Sequence, residues 1–316
     1  RFEEGGIYIF VNNDAFINNF IMDNITSMGE YELYYDSSSN TTYEYVCTGY
    51  GAVGGCIDAG GNLTFSNALF ANGDGFGYDG FHIDAGNVTI SNFTMENISN
   101  HKHVDYNSEN GELNSYTIND EGSYGALHIE TYDVNGTVTI NDLNVKNVSA
   151  SVRESFIKIE ANNVTVNGVN ISGAYSGSGG AINIQGNDFN PNSTITVNNV
   201  NMDNVRKSPG ENYTQYDPST KKFTWEYEDY EEGGAGIHIE NEYANATVSN
   251  ITIVNSDGGG ESDGVISIDA NNVELSNVLI DNITAPYSIS YEYDQDWDTH
   301  FKEIESGEGG SSGINI

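Results

Sequence analysis

Short stretches in which apolar and polar residues alternate recur along the whole chain. Examples are Phe93-Thr94-Met95, Leu143-Asn144-Val145 and Ile251-Thr252-Ile253. A second set lies upstream of these, as in Val88-Thr89-Ile90, and a third usually follows a glycine, as in Gly80-Phe81-His82-Ile83. Alternation with a period of two is typical of a strand with one face in a core. The pattern therefore predicts three short strands in each repeat.

Two positions five residues apart bracket one strand of each repeat, and only Asn, Asp or Gly occupies them. These residue types enter the left-handed backbone region at little cost, so we expect a bend at every such position. The eight pairs are Asn19/Asn24, Asn67/Asn72, Asn92/Asn97, Asp142/Asn147, Gly168/Gly173, Asn199/Asn204, Asn250/Asn255 and Asn277/Asn282.

The shortest repeats are 25 to 27 residues long, as from Asn67 to Asn92 and from Asn250 to Asn277. Periods of this size indicate units that bury their apolar face by stacking on their neighbours. Three strands per repeat with an Asn-rich left-handed turn resemble the right-handed parallel β-helix of the pectate-lyase type. This resemblance implies an all-β solenoid, closest in character to non-catalytic adhesin and surface-stalk β-helix repeat proteins. A leucine-rich repeat is the nearest alternative, but its periodic leucines and helical side are missing.

The resemblance implies one domain over residues 1–316, with eight full coils and a ninth begun. Coils start near residues 6, 55, 80, 125, 155, 180, 235, 264 and 313. Four insertions interrupt them, at about 27–53, 99–123, 206–234 and 285–312, where aromatic and acidic residues alternate as in Phe223-Thr224-Trp225-Glu226-Tyr227. This alternation predicts β-hairpins. They either build a functional surface or cover one flank.

The strand register predicts a core of inward-facing residues stacked like on like. They are Ile9, Ile83, Ile90, Met95, Ile129, Ile140, Val166, Ile184, Val197, Ile239, Ile253, Ile268 and Ile280.

Charge narrows the range of partners. The chain has 47 acidic and 10 basic residues, a formal net charge of −37, which excludes nucleic acid and anionic membrane surfaces as natural partners and attracts cations. No apolar stretch approaches the roughly 20 residues of a membrane helix, so we expect no membrane insertion. The chain opens on Arg1 rather than Met and shows no signal peptide, so we expect that a processed segment, if there was one, has already been removed.

The two cysteines, Cys47 and Cys56, lie nine residues apart and predict a local disulfide in an oxidising compartment. The alternative is a pair of buried thiols in a reducing cell.

Asn-X-Ser/Thr sequons occur at fifteen places. Six of them, at Asn24, Asn92, Asn97, Asn147, Asn250 and Asn282, lie in the bend positions, where the amide could instead stack in a ladder and carry no glycan. The better N-glycosylation sites are Asn40, Asn62, Asn87, Asn135, Asn163, Asn170, Asn192, Asn212 and Asn245. A bacterial adhesin would show similar sequons without such glycans.

Catalytic residues are not predicted. Resemblance to pectate lyases would imply an arginine base beside clustered calcium-binding acids, but the only arginines are Arg1, Arg153 and Arg206. Resemblance to polygalacturonases would imply a paired-Asp motif, Gly-His-Gly and Arg-X-Lys, and none of these strings occurs. We therefore expect a protein that is not an enzyme.

Two weak metal-site patterns are present. His82, His128 and His238 share one predicted outward column with Tyr8, Asp58, Lys158, Asn183, Ser267 and Asn315. His82 and His128 would be roughly 4.8 Å apart, which is either half of a metal site or a solvated column. Gly-rich segments around Asp74 and Asp79, and around Asp257 and Asp263, are candidate Ca²⁺ loops or plain turns with solvated acids. No cofactor other than this possible Ca²⁺ is expected.

These patterns favour an extracellular or cell-surface structural and adhesive glycoprotein. The chain begins where a coil starts and stops at Gly313-Ile314-Asn315-Ile316, a first strand without its second and third. We expect head-to-tail stacking with copies of itself, or with a continuing chain, into a surface stalk or filament. The alternatives are a polysaccharide-active enzyme and a carbohydrate-binding module that uses the tyrosine-rich loops, so glycans are possible partners.

Overall fold

The structure is a computed structural model. It describes residues 7–24, 30–36, 41–48, 55–74, 81–99, 103–109, 112–119, 126–149, 155–176, 180–186, 190, 192–207, 211–217, 219–228, 234–258, 265–284, 290–294, 299–303 and 314–316.

Strands make up almost all of the regular structure of these residues, as the abundance of Val, Ile and Thr favours. In chain order they are β1 (Ile7–Val11), β2 (Ala15–Asp23), β3 (Glu30–Asp36), β4 (Thr41–Thr48), β5 (Gly55–Asp74), β6 (Phe81–Ser99), β7 (His103–Glu109), β8 (Glu112–Asn119), β9 (Leu127–Thr131), β10 (Thr137–Val148), β11 (Ile157–Glu160), β12 (Asn163–Ser172), β13 (Tyr175–Ser176), β14 (Ile182–Gln185), β15 (Thr194–Asp203), β16 (Arg206–Lys207), β17 (Glu211–Asp217), β18 (Lys222–Glu228), β19 (Ile237–Val254), β20 (Ile266–Asp281), β21 (Ser290–Asp294), β22 (Thr299–Glu303) and β23 (Ile314–Asn315).

Thirteen strands form one sheet in which neighbouring strands are parallel, and their pairings fall into two rows. The first row follows β1, β5, β6, β9, β11, β14, β19, β20 and β23. The second row follows β2, β5, β6, β10, β12, β15, β19 and β20. Strands β5, β6, β19 and β20 are long enough to belong to both rows.

The path of pairing closes on itself because β6 and β19 join the two rows. From β6 it runs through β10, β12, β15, β19, β14, β11 and β9, and β9 pairs back with β6. Eight parallel strands therefore form a closed ring, as in a barrel. The predicted right-handed parallel β-helix, a solenoid of three-strand coils, is wrong, and so is the resemblance to the pectate-lyase type.

The prediction failed because a repeat period determines only which residues of neighbouring repeats face each other. Whether the sheet closes into a ring depends on how far each strand continues. The sequence suggested separate three-residue strands, but β6 and β19 run unbroken through the bends. The remaining strands of this sheet, β1, β2, β5, β20 and β23, lie outside the ring.

The predicted bends are confirmed at all sixteen positions. The fourteen Asn and Asp residues have φ between 51° and 57°, while Gly168 and Gly173 have φ of 73° and 63°. Only a residue that tolerates the left-handed region fits there, because a bulky side chain would meet its own backbone.

Bend side chains hydrogen-bond from one repeat to the next. Asn92 Nδ2 donates to Asn67 Oδ1 at 2.8 Å, 25 residues away, and Asn277 Nδ2 donates to Asn250 Oδ1 at 3.1 Å, 27 residues away. Asn199, whose partner in the column would be Gly168, donates instead to Asn167 Oδ1 at 2.9 Å. These amide ladders help to hold neighbouring repeats in register.

The core prediction is confirmed at eleven of its thirteen positions, which are buried. Ile9 and Ile280 are only partly buried, and both lie in strands outside the ring. Aromatic residues pack near one end of the core, where the ring of Phe93 lies 5.3 Å from that of Phe65 and 5.6 Å from that of Phe81.

The four insertions contain the predicted β-hairpins, formed by β3 and β4, β7 and β8, β17 and β18, and β21 and β22. The hairpins also pair with one another, through β4 with β7, β8 with β17 and β18 with β21. The result is a single eight-stranded antiparallel sheet. This assembly was not predicted, because alternation within one insertion indicates a hairpin but not which hairpins pair with each other.

Candidate functional site

The outer face of the first row carries two columns of polar side chains, because the residues between them, such as Ile83 and Ile129, point into the core. The histidine column consists of Tyr8, Cys56, His82, His128, Lys158, Asn183, His238 and Ser267. Asn315 is next in register, but its side chain lies outside the described residues. The acid column, two residues further along each strand, consists of Phe10, Asp58, Asp84, Glu130, Glu160, Gln185, Glu240 and Asp269.

The predicted histidine column is correct except at one position. The register pairs Cys56 with Tyr8 and His82, so Cys56 occupies the place that the sequence analysis assigned to Asp58. Asp58 instead pairs with Phe10 and Asp84 and belongs to the acid column. The error is a slip of two residues, which keeps a side chain on the same face and is therefore hard to detect from alternation alone.

His82 and His128 are neighbours, as predicted. Their ring centroids lie 4.8 Å apart with the planes at 80°. Each imidazole also faces the carboxylate two residues further along its own strand. The distances are 3.1 Å from His82 Nε2 to Asp84 Oδ2 and 3.2 Å from His128 Nε2 to Glu130 Oε1.

A second carboxylate approaches His128 from the next strand. Glu160 Oε1 lies 3.5 Å from His128 Nε2 and 2.9 Å from Lys158 Nζ. Burial alone would raise the pKa of Glu160, but the hydrogen bond and charge of Lys158, together with His128, hold it below its usual value. Glu160 is therefore ionised at neutral pH, and it lies beside His128, which is only 8 % exposed.

Tyr132 contacts the acid column at Asp58. Its hydroxyl donates a hydrogen bond of 2.6 Å to Asp58 Oδ1, although 56 % of the residue is exposed. Partial burial of the hydroxyl, the hydrogen bond to Asp58 and the charge of Asp84 raise the pKa of Tyr132 far above its usual value. Tyr132 therefore remains a hydrogen-bond donor well into the alkaline range.

The arrangement brings together ligand types for a metal ion. One ligand atom each from His128, Glu130 and Glu160 lie within 4.8 Å of one another. Neither glutamate is among the metal ligands predicted from the sequence. The signal was present as a recurring triplet, in His82-Ile83-Asp84, His128-Ile129-Glu130, Lys158-Ile159-Glu160 and His238-Ile239-Glu240.

The predicted glycosylation sites fall into three groups. Asn62, Asn87 and Asn170 use their amide nitrogens as donors, to Asp14, Asn62 and Asn144 respectively. Asn163 and Asn245 accept hydrogen bonds through their side-chain oxygens, from Thr194 and Asn272 respectively. Asn135 and Asn192 form the third group and are exposed. Asn40 and the side chain of Asn212 lie outside the described residues.

The disulfide and calcium predictions fall largely beyond what the structure describes. Cys56 is half-buried in β5, but the side chain of Cys47 is outside the described residues, so the bond stays a prediction. The same holds for the Asp74 side chain, Asp79 and Asp263. At Asp257, Oδ1 accepts from Arg206 Nη1 and Oδ2 from the Lys207 backbone, both at 3.0 Å, so a calcium ion would have to displace these partners.

In comparisons with known proteins, no family model, curated protein or solved structure matches the chain. Within the part of the chain that the structure describes, no helix is long and apolar enough to cross a membrane. Functional inference therefore rests on the geometry of the two rows.

Proposed function

We propose that this chain is a secreted structural and adhesive protein that associates head-to-tail with copies of itself into a surface stalk or filament. The supporting observation is the state of its outermost strands. Inward residues of the ring, such as Ile129 and Ile140, are fully buried. Several equivalent residues of β1, β2 and β20, among them Ile9, Phe20 and Ile280, pack against the core but stay partly exposed.

Another repeat would complete the burial of these residues. Among the described strands, β2 pairs only with β5, and residues 273–281 of β20 pair only with β19. Both edges continue the same register and the same bends, with Asn19 and Asn24 at one edge and Asn277 and Asn282 at the other. Unpaired edges of this kind are templates for further strands.

The amide ladders give the association a direction. In the bonds of Asn92 to Asn67 and of Asn282 to Asn255, the later repeat donates to the oxygen of the earlier one. In an assembly, Asn19 and Asn24 of one copy would donate to Asn277 and Asn282 of the preceding copy. This polarity favours head-to-tail over head-to-head contact, and a continuing polypeptide could cover the edges in the same way.

Sedimentation velocity of the 316-residue chain tests the proposal. We expect association that grows with protein concentration and with ionic strength, because copies with a net charge of −37 repel each other at low salt. Ile280→Lys, at a half-buried edge position, should abolish association. Leu279→Lys, at an outward position that is 54 % exposed, is the matched control and should not. A wild-type chain that remains monomeric under all these conditions would contradict the proposal.

Secretion and glycosylation have their own test. Peptide mapping of native material should find glycans at exposed sequons such as Asn135, Asn192 and Asn245, and bare asparagine at bend positions such as Asn92. Glycans on the bend asparagines would contradict their structural role. Absence of any glycan would favour a bacterial adhesin.

Carbohydrate binding is a second candidate function, favoured by exposed aromatic residues beside the acid column. Tyr8, Phe10 and Tyr132 are 55 %, 58 % and 56 % exposed. Aromatic faces stack on sugar rings and carboxylates accept from their hydroxyls. A glycan array should then show binding that Tyr132→Ala weakens and Tyr175→Ala, an exposed tyrosine elsewhere, leaves unchanged. Release of products from acidic polysaccharides would indicate the enzyme alternative instead.

A further inference from the structure

The cluster of His128, Glu130 and Glu160 has the dimensions of a metal site. Ligands about 2.0 to 2.2 Å from a tetrahedral zinc ion lie about 3.3 to 3.6 Å from each other. The two nitrogen-to-oxygen distances here are 3.2 and 3.5 Å. All three ligand atoms lie within 4.8 Å of one another, so little movement is needed to close them around an ion.

The backbone holds these ligands firmly. Glu130 and Glu160 face each other across the paired strands β9 and β11, and His128 precedes Glu130 by two residues on the same outer face. Ligands on paired strands are positioned more accurately than ligands on loops. The Glu130 side chain is 39 % exposed, which leaves room for solvent as a fourth ligand.

Hydrogen bonding between the histidine and the carboxylates is the competing explanation. A single Nε2 carries at most one proton, which can point at one oxygen, whereas two carboxylate oxygens approach it here. A divalent cation between the three groups would contact the nitrogen and both oxygens at once, in competition with Lys158 for Glu160. The neighbouring carboxylate Asp84 would also raise the local concentration of cations.

We propose that His128 Nε2, Glu130 and Glu160 bind one divalent transition-metal ion of the zinc class, with solvent in the remaining position. An imidazole nitrogen favours zinc and its neighbours in the first transition row over calcium and magnesium, which prefer oxygen ligands alone. This site does not depend on the proposed structural role. It also differs from the four aspartates of the Gly-rich segments.

Lys158 offers a further test of the proposal, because it competes with the metal ion for Glu160. Its Nζ lies 2.9 Å from Glu160 Oε1, the oxygen assigned to the ion. Replacing it by a neutral side chain in Lys158→Gln should tighten zinc binding, by up to about fivefold if the ion pair is worth what partly exposed pairs usually are. A site that used Glu160 only as a partner for Lys158 would show no gain.

Zinc titration of chelator-treated protein by calorimetry, at about 0.15 M salt to screen the acidic surface, is the test. We expect one zinc ion per chain that excess calcium does not displace. His128→Asn and Glu130→Gln should weaken binding by roughly tenfold or more, since even outer-shell changes have effects of this size. His238→Asn, in the same column between Asn183 and Ser267, is the matched control and should bind as the wild type does.

Thermal unfolding of each variant without metal separates lost binding from lost folding. A variant that unfolds like the wild type without zinc, yet gains no stability when zinc is added, supports the site. Cobalt(II) should give the intense visible absorption of a tetrahedral complex in the wild type and in His238→Asn, but not in His128→Asn or Glu130→Gln. The proposal is overturned if zinc binds no more tightly than calcium, or if His238→Asn weakens binding as much as His128→Asn does.

Discussion

The outer faces of the two rows differ although both cover the same core. In the second row, the outward position is a threonine in six repeats in succession: Thr64, Thr89, Thr139, Thr165, Thr196 and Thr247. In the first row, the equivalent columns change from repeat to repeat and carry charge, as His82, His128 and Lys158 show. The threonine column of the second row is therefore uniform and neutral, whereas the columns of the first row are varied and charged.

This difference indicates that the two rows have different roles. Identical neutral residues in register need no explanation beyond strand formation and stacking. Carboxylates directly opposite one another, as at Asp58, Asp84, Glu130 and Glu160, destabilise a sheet. We infer that the second row serves the fold and that the first row carries the chemistry of the chain.

The largest expected effect on stability concerns the hydrophobic core, to which both rows contribute. Ile129→Asn in the first row and Ile140→Asn in the second should each cost about 3 kcal/mol or more, because each buries an unpaired amide and loses apolar packing. Denaturant unfolding would measure both. Thr139→Asn, on the outside, is the control and should change stability little. A large loss in only one row would mean that the rows do not enclose one core.

The next largest effect on stability is expected at the bends, which lie only in the second row. Asn277→Val should cost about 1 to 2 kcal/mol, because a β-branched residue is strained at the φ of 53° and because the hydrogen bond to Asn250 is lost. Thermal or denaturant unfolding would measure the loss. Ser276→Val, the exposed neighbour in the same strand, should be nearly neutral. Equal effects of the two changes would remove the basis for treating the bends as structural.

A smaller effect of opposite sign is expected in the first row. Asp58→Asn keeps an acceptor for the Tyr132 hydroxyl but removes the repulsion between Asp58 and Asp84. We expect a gain of a few tenths of a kcal/mol at low salt, which should shrink as salt screens the charges. Unfolding at several ionic strengths measures it. A loss of stability would mean that the acid column supports the fold.

The smallest effect is expected at a bend that already lacks a side chain. Gly168→Asn should change stability by no more than about 0.5 kcal/mol, since Asn takes the left-handed conformation readily. A Cβ there would come 2.8 Å from Asp142 Oδ1, the end of a side chain that can turn aside. Gly168→Val should be clearly worse in the same unfolding assay. If Asn and Val prove equally harmful, the site excludes any side chain.

Local features of this fold could be predicted from the sequence. The bends at positions such as Asn92 and Gly168, the buried residues such as Ile140 and the four hairpins all follow from backbone preference and alternation, which involve residues close in sequence. The amide ladder was anticipated at the bends. The ladder at strand entries, such as Asn87 to Asn62, was not, because it depends on register between repeats.

Long-range features could not be predicted in this way. Closure of the ring requires β9 to pair with β6 and β14 to pair with β19, and nothing within a single repeat specifies it. The pairing of separate hairpins into one sheet has the same origin. The acidic partners of His128 were visible as His128-Ile129-Glu130, but their convergence with Glu160 required the register of β9 against β11.

Thermal unfolding with and without zinc, applied to one variant from each row, tests the different roles of the two rows most directly. Asn92→Val should lower the stability of the metal-free protein and leave the stabilisation by zinc intact. Glu130→Gln should leave the metal-free protein as stable as the wild type and abolish the stabilisation by zinc. If both variants lose stability equally, or if both keep the response to zinc, the two rows do not have separate roles and the account is wrong.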